Sequence, residues 1–172
     1  MTPAEVAADY RARHQERAAK EQRYFEIQRS LSDAIEKATL ARMPNGGRFK
    51  HQRRLSASTL ATFHAEVARR EEALRMASDF REIHRQVSLA RVAGVGPLTV
   101  FDAALRIAAH LRKEPDEVYL HAGTTEGAKR LGLSVRRESI PMSEIPEGLR
   151  DLRPREVEDC LCIYKSRLQP HE

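Results

Sequence analysis

The feature that most constrains this chain is a glycine-containing turn between two apolar segments. The stretch from Arg91 to Ile107 reads RVAGVGPLTVFDAALRI. Its two glycines permit a positive φ and let another molecule approach the backbone without meeting a Cβ. Pro97 suits the first turn of a helix, where its missing N–H costs nothing. The pattern therefore predicts two helices joined by a tight turn at Gly94–Gly96.

This order of residues resembles the helix-hairpin-helix motif, which grips the phosphate backbone of nucleic acids. The resemblance implies that the backbone amides of Gly94, Val95 and Gly96 face a phosphate, helped by the positive end of the second helix's dipole. It also implies that three further residues flank this contact: Arg91, Thr99 and Arg106. Two alternatives stay open. The turn also fits a plain connector with a C-cap glycine, and Arg106 also fits an ion pair with Asp102, four residues earlier.

Positive charge is concentrated in one short segment. Residues 1–54 carry 12 Lys and Arg against 7 Asp and Glu, whereas residues 55–172 carry 18 of each kind. Residues 42–54, called here the basic segment, contain no acid and five cations: Arg42, Arg48, Lys50, Arg53 and Arg54. A basic loop beside a phosphate-binding turn is typical of nucleic-acid binders. Taken alone, the same segment also fits a solvated linker.

The remaining pattern predicts an all-α fold, a multi-helix bundle that contains the hairpin. Residues 3–41 lack glycine and indicate a long helix or a helical pair, broken near Ser30–Asp33 with Ser32 or Asp33 as the cap. Met43–Gly47 is the strongest breaker. We therefore expect an N-terminal helical arm over 1–43, a basic loop over 44–55 and a helical domain over 56–172. Within that domain, helices are predicted at 56–76, 78–90, 98–111, about 124–131, 143–151 and 154–167, with 133–142 extended.

Composition disfavours several classes of protein. No apolar run approaches the roughly 18 residues of a membrane span, and the charged N-terminal region does not resemble a signal peptide. We expect a cytoplasmic protein. Cys160 and Cys162 lie two residues apart in a helical segment, so they should not pair and are expected to be core thiols. No Cys/His spacing resembles a zinc or iron–sulfur site, and we expect no metal and no cofactor.

Two longer resemblances extend beyond the hairpin, the second of them in layout only. Residues 48–165 resemble a group of uncharacterised bacterial proteins, on the stretches GVGPLTVFDAALRI at 94–107, VYLHAGT at 118–124 and EDCLCIYK at 158–165. The layout from the hairpin to Gly132 is also similar to helix-hairpin-helix DNA glycosylases. Those enzymes carry an Asp well past the hairpin, and the bifunctional members have a Lys just after the turn. Here Leu98 occupies the Lys position, so no amine is present for a Schiff base, and the Asp position falls near Asp116 or near His121.

The favoured function is sequence-independent DNA binding, in repair, recombination or mobile-element and defence biology, without a requirement for enzymatic activity. Two alternatives stay open. One is a helical protein–protein module that uses residues 3–41 for a partner or for self-association. The other is a divergent, glycosylase-like DNA-processing enzyme that uses Asp116 or His121. His121 has the chemistry of a general base or phosphate ligand, but it equally fits a buried or capping histidine.

Overall fold

The computed structural model of the chain describes residues 1–169, and the last three residues of the predicted domain 56–172 lie outside this description. The described residues are mostly helical, which confirms the all-α character. The small sheet is antiparallel, with β1 Glu117–Tyr119 paired to β2 Ser139–Pro141. Two short 3₁₀ turns cover Lys50–Gln52 and Met142–Glu144. The helices are α1 Pro3–Arg13, α2 Gln15–Glu26, α3 Leu31–Thr39, α4 Ala57–Ala68, α5 Glu71–Arg75, α6 Phe80–Leu89, α7 Pro97–His110, α8 Ala122–Arg130, α9 Glu147–Arg150 and α10 Pro154–Ile163.

The chain divides into two compact units, and the first combines residues 1–19 with residues 115–172. In this unit 1, α1 packs on α9, and α10 packs on α8 and β1. The α8–α10 contact is close because Gly127 lies against the backbone carbonyl of Leu161 and leaves no room for a Cβ. Buried apolar side chains from all these elements form one core, including Val6, Tyr10, Val118, Ile140, Leu149 and Tyr164.

Unit 2 is the continuous segment of residues 20–114. Its central element is α7, which packs against α3 and α6, while α3 also packs on α4. The buried side chains include Phe25, Ile35, Phe63, Phe80 and Ile107. At 14 residues, α7 is also the longest helix of the part of the chain that the structure describes. Among residues 1–169, no helix has the length and apolar content needed to cross a bilayer.

Side-chain caps fix several helix starts. Ser30, Ser56 and Asp79 each accept a hydrogen bond from the backbone N–H three residues later, which satisfies an amide that the helix leaves open. The caps of α3 and α6 differ from the predicted Ser32 or Asp33 and Ser78. Asp79 is the cap of α6, and the hydroxyl of Ser78, one residue earlier, donates a hydrogen bond to the Asp79 carboxylate.

Other boundaries also differ from the prediction. The helix predicted over 56–76 is divided into α4 and α5, the helix predicted over 143–151 is a 3₁₀ turn followed by α9, and the helix predicted over 154–167 ends at Ile163. Helix α8 begins at Ala122 because the Thr124 hydroxyl accepts the N–H of His121 at 2.6 Å, which makes His121 the N-cap.

Residues 1–43 do not form a separate arm. Helix α1 is part of unit 1, where Val6 and Tyr10 are fully buried, and α3 is part of unit 2, where Leu31 and Ile35 are buried. The apolar stripe of residues 3–41 is interrupted near His14 and again before Ser30, where one helix ends and the next begins. Each helix therefore buries its own apolar face in the unit to which it belongs.

Candidate nucleic-acid interface

The predicted turn joins α6 to α7. Helix α6 ends at Leu89, and α7 begins at Pro97 with Gly96 as its N-cap. Gly94 has φ +87°, a conformation that favours glycine. The two helices pack together, with the rings of Phe80 and Phe101 edge to face and their centroids 6.0 Å apart. The chain thus forms the two helices and the tight connection that the sequence predicts.

The glycine turn, residues 94–96, exposes its backbone on either side of Val95. Gly94 and Gly96 are exposed, and a Cβ added to Gly96 would meet no atom within 4 Å. Because Gly96 has no side chain, α7 lacks a side-chain cap, and its first-turn amides are left for solvent or a ligand. Val95 differs from the expectation for a phosphate contact, since its side chain is buried and its N–H donates to the carbonyl of Val92 at 3.1 Å.

A second helix begins beside the glycine turn. Thr59, in the first turn of α4, has its Cγ2 atom 3.4 Å from the point that a Cβ on Gly94 would occupy. Ser56 caps α4 by accepting the Thr59 N–H at 3.0 Å, and its hydroxyl lies 2.9 Å from that of Ser58. The glycine turn that precedes α7 therefore lies beside the first turn of α4. The sequence indicates Ser56–Thr59 only as a cap, because its contact with Gly94 is tertiary.

The basic segment is folded rather than a free linker. Arg48 is half-buried, and its Nη1 donates to the backbone carbonyl of Leu55 at 2.6 Å. Its backbone also pairs with that of Arg42 in an isolated β-bridge. The other four cations of the basic segment are exposed: Arg42, Lys50, Arg53 and Arg54. Arg54 lies two residues before the Ser56 cap, so the basic segment leads directly to the N-terminus of α4.

Two consecutive residues fasten the basic segment to α7. Gln52 is fully buried, and its Nε2 donates to Oδ2 of Asp102 at 2.7 Å. The Nδ1 atom of His51 lies 3.3 Å from the same oxygen. Asp102 lies six residues after Gly96, which is about 9 Å along a helix axis. The N-terminal half of α7 therefore holds both the glycine turn and the basic segment.

The Asp102 carboxylate is suited to this role because it stays ionised. Burial alone would raise its pKa, but the hydrogen bonds from His51 and Gln52 and the nearby charge of Arg106 together hold the pKa below its ordinary value. Asp102 therefore remains a charged acceptor at neutral pH, and the hydrogen bonds to it are stronger than those between neutral groups.

Arg106 is an internal residue and not part of the exposed interface. It is 7% exposed, its Nε donates to Glu21 at 3.1 Å, and its Nη1 donates to Gln52 at 3.4 Å. The guanidinium carbon also lies 3.8 Å from the ring centroid of Phe49. Arg106 is therefore not exposed for the phosphate contact that the resemblance implies, and its ion-pair partner is Glu21 rather than the predicted Asp102. Arg106 is a positioning residue that holds the basic segment.

The other two flanking residues differ from each other. Arg91 is exposed just beyond the end of α6, where a cation also complements the helix dipole. Thr99 lies in the first turn of α7 and is buried, with 8% of its surface exposed. The structure therefore places Arg91 on the surface near the glycine turn and Thr99 beneath it.

The two units carry different net charges. Unit 2 has 18 Lys and Arg against 11 Asp and Glu, a net charge of +7, whereas unit 1 has 12 against 14, a net charge of −2. A comparison of the charges before and after residue 54 does not show this difference, because residues 55–172 contain the later part of basic unit 2 and most of acidic unit 1. The unit that contains the glycine turn and the basic segment is therefore the strongly basic one.

The two candidate catalytic residues both belong to unit 1, whereas the glycine turn belongs to unit 2. Asp116 is exposed and immediately precedes β1. His121 is buried, and its Nε2 contacts the carboxylate of Glu158. Within residues 1–169, no group of three or more His, Cys, Asp and Glu side chains is arranged to hold a metal ion.

Comparison of the chain with models of known protein families, with curated proteins and with solved structures finds no match. The resemblances to the helix-hairpin-helix motif, the bacterial group and the DNA glycosylases therefore rest on the quoted residues alone. The function has to be inferred from the chemistry of the site.

Proposed function

We propose that this protein binds DNA through its phosphate backbone, without reading base sequence, and that α6, the glycine turn and α7 act as a helix-hairpin-helix. One observation carries the proposal. The exposed glycine turn lies beside the N-terminus of α4, and it begins the same helix to which the basic segment is fastened. Backbone amides, two helix dipoles and several cations are thus available to one polyanion.

In this proposal, each group has a distinct task. A phosphate oxygen approaches the backbone at Gly96, where no Cβ blocks it, and accepts hydrogen bonds from the open amides at the start of α7. The exposed hydroxyl of Ser58 donates to a neighbouring phosphate. The cations attract further phosphates and release counterions: Arg48, Lys50, Arg53, Arg54 and Arg91. Such contacts position the protein without selecting bases, so we expect salt-sensitive affinity on the order of micromolar.

The charge of unit 2 supports this proposal over the protein–protein alternative. A net charge of +7 on 95 residues favours a polyanionic partner. The apolar side chains of residues 3–41 that would serve a protein partner are used internally, since Val6, Tyr10, Phe25 and Ile35 are buried. Ile27 is the large apolar side chain of this stretch that remains exposed among the described residues, at 63%. One isolated side chain is a small surface for stable association.

The enzymatic alternative has less support than DNA binding. The imidazole of His121 is buried against Glu158, and Asp116 is an exposed residue at a strand start. DNA binding requires neither residue.

The sharpest variant for a binding test is Gly96→Ala. An added Cβ at Gly96 meets open space, so the fold should tolerate it, whereas a Cβ on Gly94 is strained by the positive φ. If phosphate approaches Gly96, the methyl group obstructs a charge-assisted hydrogen bond that is worth about 1.5 kcal/mol, or roughly tenfold in Kd. The measurement is fluorescence anisotropy of labelled single-stranded, duplex and branched DNA at two salt concentrations.

A pair of double variants tests the basic segment. Arg53→Gln/Arg54→Gln should reduce the slope of log K against log salt by about 1.8 if each residue neutralises one phosphate. Lys129→Gln/Arg130→Gln removes the same charge from exposed positions of unit 1 and should leave the slope unchanged. If the two double variants change the slope equally, overall charge rather than the basic segment would account for DNA binding. A folded wild type that binds no DNA at low salt would refute the proposed function.

A further inference from the structure

Unit 1 contains a buried cation that DNA binding does not use. Arg155 is the second residue of α10, and 7% of its surface is exposed. An arginine side chain stays protonated in proteins, and a buried charge is normally paired. We propose that Arg155, together with the first turn of α10, binds the carboxylate of a small organic acid. The proposal does not depend on the proposed DNA binding, because Arg155 belongs to unit 1.

Arg155 has no partner among residues 1–169. Within this range its guanidinium makes no hydrogen bond and no ion pair. The other buried arginine of the described residues is Arg106, whose guanidinium bonds Glu21 and Gln52. The charge of Arg106 is therefore balanced by the fold, whereas the charge of Arg155 is available for a ligand.

The carboxylates of α10 itself are engaged elsewhere. Glu158 and Asp159 lie three and four residues after Arg155, the spacing at which ion pairs form along a helix, but neither pairs with it. These two acids and Glu156 each contact a side chain from outside α10. In the order Glu156, Glu158 and Asp159, these side chains are Gln15, His121 and Tyr10. The acids of the helix thus leave the guanidinium of Arg155 free.

The first turn of α10 adds a backbone donor. Pro154 begins the helix and has no N–H. The N–H groups of Glu156 and Val157 both donate to the carbonyl of Arg153, at 2.8 and 3.0 Å. Within the described part of the chain nothing accepts the N–H of Arg155, so this donor of the turn stays open. Long side chains on a helix lie over the turn toward its N-terminus, which directs the Arg155 guanidinium to the same end of α10.

Access and charge favour a small monoanion. Each guanidinium nitrogen of Arg155 keeps some accessible surface although the residue as a whole is buried. The planar guanidinium can donate two parallel hydrogen bonds to one carboxylate. Unit 1 has a net charge of −2, and the three acids of α10 add negative charge nearby, which repels a phosphate dianion more than a monoanion. For acetate we expect a dissociation constant on the order of 1 mM.

The first test is a ¹H–¹⁵N NMR titration of the full chain with sodium acetate, compared with sodium chloride at equal ionic strength. Acetate should shift the backbone N–H and the Nε–H of Arg155 in a saturable way, and chloride should not. Arg155→Lys keeps the charge but not the planar fork, so acetate affinity should fall about tenfold. Arg136→Lys makes the same change at an exposed position of unit 1 and should leave the affinity unchanged.

Urea unfolding provides a second measurement that a misfolded variant cannot imitate. At a dissociation constant of about 1 mM, 100 mM acetate should raise the folding equilibrium constant of the wild type about a hundredfold. Arg155→Met removes the unpaired charge, so it should be at least as stable as the wild type without acetate and gain no more from acetate than from chloride.

Three results would overturn the proposal. They are shifts at Arg155 that do not saturate, equal stabilisation of Arg155→Met and the wild type by acetate, and tighter binding of inorganic phosphate than of acetate. Arg155→Met should leave DNA affinity unchanged, so this proposal and the proposed DNA binding fail separately.

Discussion

Replacing Arg106 by Met tests whether this residue positions the basic segment or contacts DNA directly. The methionine retains much of the apolar stem, so the main loss is the guanidinium with its contacts to Glu21, Gln52 and Phe49. Breaking a buried charge pair costs about 3–5 kcal/mol. The Glu21 side chain is 37% exposed, so water can solvate its carboxylate again and the cost falls below that range. We expect the free energy of unfolding to drop by about 2–3 kcal/mol.

Two assays on the same protein then separate the two roles. Urea unfolding measures the stability loss, and the salt dependence of DNA affinity counts phosphate contacts, at about 0.9 units of slope per contact. For Arg106→Met we expect lower stability and an unchanged slope. The matched variant is Arg91→Gln at an exposed position, which should keep stability within about 0.5 kcal/mol and reduce the slope by about 0.9. Wild-type stability combined with a reduced slope for Arg106→Met would refute the internal role.

Two further substitutions test how the units are built. Gly127→Ala should lower the free energy of unfolding by about 1–3 kcal/mol, because its Cβ would collide with the Leu161 carbonyl. In an uncrowded helix the same substitution would instead raise stability by about 0.5–1 kcal/mol. A variant that is more stable than the wild type in urea would therefore contradict the close α8–α10 packing. Asp102→Asn tests a carboxylate whose pKa in the folded protein lies below its ordinary value. Such a carboxylate stabilises the fold at pH values above its ordinary pKa, and this stabilisation is lost as the pH falls through the pKa of the folded state. The variant should be less stable at pH 7 and lose less stability on acidification from about pH 5 to pH 2; an acid-unfolding profile parallel to that of the wild type would show that Asp102 does not contribute in this way.

The parts of the fold that the sequence predicts are those with local causes. The turn before α7 follows from a glycine that needs a positive φ and a proline that suits the first helical turn, and both lie within four residues. The burial of Arg106 has no such local cause. Its partners Glu21 and Gln52 are 85 and 54 residues away in the chain, so a basic residue on an amphipathic helix gives no sign that it is buried.

The division of the chain shows the same limit at a larger scale. Helix α1 resembles a charged arm because its apolar residues are sparse, but Val6 and Tyr10 pack in a core built mainly from residues 115–169. No periodicity in residues 1–43 identifies that partner. Likewise, the hydroxyl side chains at the start of α4 indicate a helix cap, and only the contact between Thr59 and Gly94 relates them to the glycine turn.

The attachment of the basic segment to α7 has an energetic consequence for the proposed binding. A flexible basic linker would attract DNA equally well at long range, but it would lose conformational entropy of about 1–2 kcal/mol for each backbone residue that became ordered. Here Gln52 and His51 are held by Asp102, and Arg48 is held by the Leu55 carbonyl, so much of that ordering precedes binding. Asp102 therefore has two opposing effects on DNA binding. Removing this acid makes unit 2 more positive, which favours DNA, and releases the basic segment, which opposes binding. If preorganisation is the larger effect, Asp102→Asn binds DNA more weakly than the wild type at low salt, whereas tighter binding would mean that charge alone governs affinity.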